Sequence, residues 1–480
     1  MEFCLEDLLN GVENDERILQ FRFQYKNTLV WPFIRFSVFT AITFKVYNIN
    51  EMKMARSQQS NLKKYIKELF KCMKICLNTP FLWKQKDLLY FYNAVGNVAT
   101  SDGTIYNRIY DWFVMEYNEQ SGVIETLGQT NYKKDTHVDK RYLDPINFFI
   151  EVLCYFTKAD SKDIHMADDL MDYLCNDCRL NLLPHEIARI KKNILFLSKK
   201  IKYTDKIFLL LFHKIDPKLV FIECGCLGGD AYLIKLLHEM GIKTAEVQHG
   251  WVGANHEAYN QSEFLCNNTE YAEYMPDYFL GWSEYWLEKI SVTGMRIPIG
   301  NPQFWQQYLN MLTEQKNGKT EKVDYRTVLW IAFTNNEVNI KLLNQFILAS
   351  NNEYYIRIRL HPLEKFLISE YKEFDKNEKV TMDELPTIYD SFQVSDYVIA
   401  ESSTVIYEAL AVGKPTFIYD NEVADWFETG NLTVSFKNID ELLDLLQKAG
   451  DVKNNNADYQ KEFFGEAWQD KFKAFIEGVI

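Results

Sequence analysis

Three short stretches place reactive side chains directly after apolar runs. Residues 246–259, EVQHGWVGANHEAY, give His249 and Gly250, then His256 and Glu257. Residues 354–362, YYIRIRLHP, end on His361 and Pro362, with Arg357 and Arg359 alternating with apolar residues. Residues 397–413, YVIAESSTVIYEALAVG, carry Glu401, Ser402, Ser403 and Thr404 ahead of a helical pattern that contains Glu408. A neutral imidazole titrates near working pH and can take a proton from a hydroxyl, so His249 is a candidate general base. Gly250 and Gly253 would let a ligand come close to the backbone. The plainer reading is that His249 only shapes its loop. Ser402 or Ser403 fits a helix N-cap, and the amides and hydroxyls of such an end also attract anions. Two serines and a threonine supply more donors than one cap needs, so phosphate binding is expected of Ser402, Ser403 and Thr404. Proline after His361 fixes an extended exit, and His361, with Arg359 beside it, is expected at the phosphate or leaving group. Glu408 either reaches toward a ribose or is a surface carboxylate.

Such residues need elements to aim them. KLVFIECG, GGDAYLIKLLHEMG and IKTAEVQHG read as strand, helix and strand, and the second strand runs straight into His249. DLLYFYNAVG and VIETLGQ give earlier strands, and 143–215 read mostly as helices. DYFLGWSEYWLEKI and RIPIGNPQFW add further strands before the polar, aperiodic stretch 313–326, which is expected to be a linker. A second series follows: TVLWIAF, EVNIKLLNQFILAS, YYIRIRLHP, TIYDSFQVSDYVIAESS, STVIYEALAVG and KPTFIYD. The expected fold class is therefore α/β, two Rossmann-like doubly wound domains facing a cleft. Residues 1–86 are expected to form a helical N-terminal extension, 87–312 the first Rossmann-like domain and 327–480 the second; the resemblance given below implies that these bind the acceptor and the nucleotide-sugar donor respectively. In such sheets ligands sit beyond the carboxyl ends of the strands.

The bulk properties narrow the function. A chain of 480 residues exceeds what one core usually serves. A net charge of −14 argues against a nucleic-acid binder. MEFCLEDLLN has no signal-peptide pattern, and nine cysteines without one suggest reduced thiols in a cytosol. Cys175 and Cys178 form a lone CxxC without a second ligand pair, so no metal site is expected. TLVWPFIRFSVFTAITF is interrupted by Pro32 and Arg35 and reads as a buried or interfacial helix rather than a span. LKKYIKELFKCMKICL, residues 62–77, puts Leu62, Ile66, Leu69, Phe70, Met73 and Leu77 on one face among Lys63, Lys64, Lys67, Lys71 and Lys74. The preferred expectation is a core-facing helix with a solvated lysine side. The other is peripheral contact with an anionic membrane at its inner face.

The ordered set of HG, GNP, HP and ESSTVIYEALAVGKPTF, spread over about 219–420, resembles glycosyltransferases of the two-Rossmann (GT-B) type. It is similar to bacterial capsule and surface-polysaccharide enzymes: polysialyltransferases, ulosonate transferases and the CDP-glycerol glycerophosphotransferases of teichoic acid synthesis. The resemblance implies that His361, Ser402, Ser403 and Thr404 hold the phosphate of a CMP- or CDP-linked donor. From the glycerophosphotransferases it implies a base at His249. From the polysialyltransferases it implies an acidic base, for which Asp230, Glu257 and Glu223 are the counterparts. Glu401 and Glu408 lack the E-x7-E spacing of many retaining enzymes of this type, which points to inversion. The expected activity is metal-independent transfer of a sugar from a nucleotide-sugar donor to a glycan or lipid-linked glycan acceptor, without a cofactor. A nucleotide-sugar 2-epimerase and a non-catalytic glycan-binding assembly subunit are the alternatives.

Overall fold

The computed structural model describes residues 4–47, 62–99, 103–127, 138–316, 326–428, 432–449 and 458–480. Seven parallel strands make the first sheet: β1 (Leu88–Asn93), β2 (Ser121–Thr126), β3 (Lys140–Tyr142), β4 (Leu219–Ile222), β5 (Lys243–Val247), β6 (Tyr278–Gly281) and β7 (Met295–Pro298). Their spatial order is 7-6-5-4-1-2-3. Six more make the second: β8 (Arg326–Ile331), β9 (Tyr354–Arg359), β10 (Val380–Met382), β11 (Tyr397–Ala400), β12 (Thr416–Tyr419) and β13 (Val434–Phe436), in the order 10-9-8-11-12-13. Both orders reverse beside their first strand. That is the doubly wound topology, with a crevice at each reversal point, between β1 and β4 and between β8 and β11. The central strands are apolar on both faces because helices cover both. LVFI and YVIA are buried at every position. The two-domain α/β architecture expected from the sequence is present. Lys140–Tyr142, Val380–Met382 and Val434–Phe436 were not expected, being three-residue edge strands too short to show a period.

The ends of the chain pack differently from their place in the sequence. The helix Trp31–Val46 is buried with the helices Ser161–Asp172 and Pro184–Ile215 in one core. Pro32 sits in its first turn, where proline is tolerated. Arg35 is buried against the carboxylate of Glu13, with Nε at 2.5 Å, and also donates to the carbonyls of Glu257 and Asn260. The extension thus clamps the loop after β5 from behind. Gly228 carries φ +82, and a Cβ there would lie 1.9 Å from the Pro32 carbonyl oxygen. Gly228 is what lets the two segments touch. At the other end, the helix Trp468–Val479 returns to the first sheet. Phe472, Phe475 and Ile476 are buried with Tyr90 and Phe221, although the sequence puts them with the second series. Of the expected linker, 313–316 continue the helix Pro302–Lys316, Arg326 opens β8, and 317–325 lie outside the described residues.

The preferred core-facing orientation of the lysine-rich helix is corrected by the structure. Ile66, Leu69, Phe70, Met73 and Leu77 are 45–85% exposed, while Cys72 and Ile75 face inward. The inward stripe belongs to the contact with the helix Asp144–Phe156, which Lys71 joins to Asp144 at 2.7 Å. That neighbour exposes Phe149, Tyr155 and Phe156. The side chains of Leu62, Lys63 and Lys64 lie outside the described residues.

Candidate active site

The carboxyl ends of both sheets carry the three stretches singled out above. His249 stands two residues beyond β5 and is half-buried. The Cys224 Sγ lies 3.8 Å from both of its ring nitrogens, and the Tyr259 hydroxyl 3.4 Å from Nδ1. Tyr259 in turn donates to Glu246 at 2.8 Å, and Glu246 also accepts the Cys226 amide at 2.7 Å. A buried carboxylate, a phenol and the imidazole thus form a short chain that holds the ring at the strand end. Burial, and then the Arg108 guanidinium, pull the imidazole down to about 4, so it is neutral at physiological pH.

Glu223 ends β4, at the reversal point of the first sheet. It accepts the Asn93 amide from the end of β1. Burial, with Glu246 and Asp230 as like charges, pushes its carboxyl up to about 7. Of the three acidic counterparts, Glu223 alone combines a place at this crevice with a pKa near neutrality. Asp230 starts the helix Ala231–Glu239 and stays open to solvent, while the protein mass around it raises its pKa. Glu257 is turned away from the strand ends. It is buried against Thr43 and Arg35 of the N-terminal helix, which assigns it to the clamp. The two glycines also separate. A Cβ on Gly250 would meet nothing within 4 Å, whereas one on Gly253 would lie 2.6 Å from the Trp251 ring. Gly253 makes room for Trp251, which packs on Trp426 and Phe427 of the second half, and not for a ligand.

At the second sheet's reversal point, Glu401 fastens three strand ends. It accepts the Thr334 amide at 2.8 Å, from beyond β8, and the Asn421 side chain at 2.6 Å, from beyond β12. Ser403 is the N-cap of the helix Thr404–Ala411 and accepts the Val405 amide. Ser402 meets Thr334 hydroxyl to hydroxyl at 3.2 Å. The hydroxyls of Thr334, Ser402 and Ser403 therefore lie at the mouth of the helix that Thr404 opens. Sequence reading missed Thr334, whose only signal is its place after the first strand of a doubly wound half. The surface of His361 is exposed, while the protein packed around it and then Arg108 lower its pKa. Glu408 accepts the Tyr389 hydroxyl at 2.6 Å, and burial raises its pKa. Arg359 has another task. It is bound to Asp383 at 2.7 Å, to Ser391 at 2.8 Å and to the Leu385 carbonyl, so its guanidinium braces β9 against β10.

Arg108 did not figure in the sequence reading, yet its charge is felt at Glu223 and His249 of one half and at His361, Glu408 and Tyr389 of the other. The charge of this one residue thus bears on groups at the strand ends of both sheets. A separate hollow of about 790 Å³, lined by Arg17, Arg22, His165 and Tyr173, lies among the N-terminal helices; its two arginines are already paired with Asp177 and Glu270. Among the described residues no group of three or more His, Cys, Asp or Glu could hold a metal ion.

No protein-family model matches the chain, and no curated protein matches it. Solved structures similar to it include the UDP-GlcNAc 2-epimerase from Methanocaldococcus jannaschii, at 14% identity and a TM-score of 0.45, covering 82% of this chain and 100% of that one. The wall teichoic acid polymerase TagF is similar at 12% identity and a TM-score of 0.46, covering 87% and 96%. The Neisseria meningitidis UDP-GlcNAc 2-epimerase, bound to UDP-GlcNAc, is similar at 11% identity and 0.43, covering 82% and 99%. Likeness at this level bears on neither reaction nor donor.

Proposed function

We propose that the chain is a glycosyltransferase that takes a sugar from a nucleotide-sugar donor held at the second sheet and passes it to a glycan acceptor at the first. The observation that supports this reading is the place of His249 and Glu223 at the strand ends of the first sheet and of His361, Thr334, Ser402 and Ser403 at those of the second, with the Arg108 charge acting on groups of both. The donor's phosphate rests on the hydroxyls, the helix amides and His361, which stabilise charge on the departing phosphate. The neutral His249 takes the acceptor's proton as its oxygen attacks the anomeric carbon, with inversion. A CMP- or CDP-linked donor is favoured by the resemblance of the motifs. The acceptor is lipid-linked, and the chain meets an anionic membrane with the exposed apolar faces of the helices Leu62–Ile75 and Asp144–Phe156. That surface favours a transferase working on a membrane-borne glycan over an epimerase working on a free nucleotide sugar. Among the described residues no helix is long and apolar enough to cross a membrane.

The test is a thermal-shift screen with CMP, CDP, UDP and GDP, followed by transfer assays with the nucleotide that binds. A ligand specific for the folded state raises the unfolding temperature. Turnover that needs an acceptor supports transfer, acceptor-free conversion of the sugar would assign an epimerase, and nucleotide binding without turnover would leave a binding subunit.

A further inference from the structure

The hairpin that follows β1 has a design that the reading above leaves unused. Its strands Asn97–Ala99 and Ile105–Asn107 pair antiparallel, and Arg108 comes directly after them. The backbone there is over-determined. The Asn107 side chain accepts the amides of Ile109 and Tyr110 at 3.0 and 3.1 Å and donates to the Asn93 carbonyl at the end of β1. The Asn107 amide donates to Asp111, which is itself buried beside Tyr92 and Lys140. The Arg108 amide donates to Gly96 at 3.1 Å, and a Cβ on Gly96 would press to 2.8 Å on the Asn107 side chain. Asn107 and Asp111 are fully buried, whereas Arg108 is exposed. A rigid base therefore presents one long cation at the first sheet's reversal point. Among the described residues no carboxylate forms an ion pair with it, in a chain of net charge −14.

We propose that Arg108 is the first half's grip on the donor: its guanidinium binds the phosphate from the side opposite the hydroxyls of Ser402, Ser403 and Thr404. This rests on the donor site proposed above and adds the residue that joins the two halves around it. A planar guanidinium matches phosphate oxygens with two parallel hydrogen bonds, which a lysine cannot imitate. Its rigid seat keeps the ordering cost low. The field of the unliganded guanidinium favours neutral imidazoles at His249 and His361.

The experiment is calorimetric titration of CMP, CDP and UDP, with cytidine and uridine as phosphate-free controls. The proteins are the full chain, Arg108→Gln, Arg108→Lys and the double variant Ser402→Ala/Ser403→Ala. Losing charge-assisted hydrogen bonds to phosphate should weaken nucleotide binding about 10- to 100-fold in Arg108→Gln, leave nucleoside binding unchanged, and be only partly restored in Arg108→Lys. Arg108 is exposed, so Arg108→Gln and Arg108→Lys keep the wild-type unfolding temperature. If Arg108→Gln binds nucleotides like wild type while the serine variant does not, the Arg108 proposal falls and the donor site stands. If the arginine variant loses binding and the serine variant does not, Arg108 stands and the serines lose their role. If the wild-type chain binds none of the nucleotides, the donor reading falls and takes this inference with it.

Discussion

At the level of single residues, the cleft holds two candidate bases whose surroundings move them in opposite directions. His249 lies at about 4, below its ordinary 6.5, and Glu223 at about 7, above its ordinary 4.5. A base works only when deprotonated, so the acidic limb of the rate profile reports which one acts. With His249 as base, the limb falls near pH 4, and His249→Ala lowers transfer by about 10²–10⁴-fold with donor affinity nearly intact. A limb near pH 7 that disappears in Glu223→Gln would hand the role to the carboxylate. Stability carries the same signature with signs that follow from proton linkage. Between about 4 and 6.5 the unfolded chain binds more protons at His249 than the folded one, so this group makes stability rise with pH. At Glu223 the folded chain binds more protons between 4.5 and about 7, so stability falls as pH rises there. Urea midpoints across these windows should lose the rise in His249→Ala and the fall in Glu223→Gln; unchanged slopes would mean that neither group is perturbed in the folded chain.

Among the elements, the N-terminal helices do two jobs. Trp31–Val46 braces the His249 loop through Arg35, whose partner Glu13 is wholly buried. Removing one member of a buried pair leaves the other uncompensated, at a cost of about 3–5 kcal/mol. Arg35→Met should lower the urea midpoint accordingly, and adding Glu13→Leu should recover part of the loss. A midpoint within experimental error of wild type would show that the clamp contributes nothing to stability. The helix Leu62–Ile75 faces outward. Phe70→Ser, Met73→Ser and Phe156→Ser together should abolish flotation with anionic vesicles without lowering the unfolding temperature, because these side chains are 59–79% exposed. Lys67→Gln and Lys74→Gln should weaken binding by about 1 kcal/mol per charge, an effect that salt screens. A chain that never floats with such vesicles would remove the membrane from the proposal.

In the whole molecule, the two halves are interleaved. The Phe464 ring stacks on Phe304 at 3.9 Å, and Phe472 reaches Phe113 and Phe221 behind the first sheet. Trp426 donates its indole N–H to the Asn255 carbonyl at 2.9 Å, joining the second half to the loop that carries His249. Phe472→Ala should cost about 3–5 kcal/mol, the usual range for a large aromatic removed from a core, although the residue lies far from the first sheet in sequence. A loss of less than a tenth of that would show that the terminal helix rests loosely on the sheet.

The sequence by itself determined the fold class and the central strands and helices, though not the three-residue edge strands. LVFI, YVIA and TVLWI are short apolar runs bounded by helical periods, and such alternation has few solutions besides parallel sheets covered on both faces. It also put His249, His361 and Ser402–Ser403–Thr404 at strand ends, because an apolar run stops where its strand leaves the core. What it could not supply was direction and company. Arg359 was grouped with a ligand, but alternation along β9 says only that it leaves the core face; Asp383, 24 residues on, decides what it binds. Glu257 and Glu223 are equivalent as letters, and burial beside Arg35 or at the β1–β4 crevice separates them. The lysine-rich helix has the same period whether its apolar face meets protein or not, so only packing against the helix Asp144–Phe156 showed that the face is left outward. Arg108 carries no local pattern at all. Its place at the cleft follows from a hairpin fixed by Asn93, Asn107 and Asp111, and from two sheets whose strand ends meet only in three dimensions.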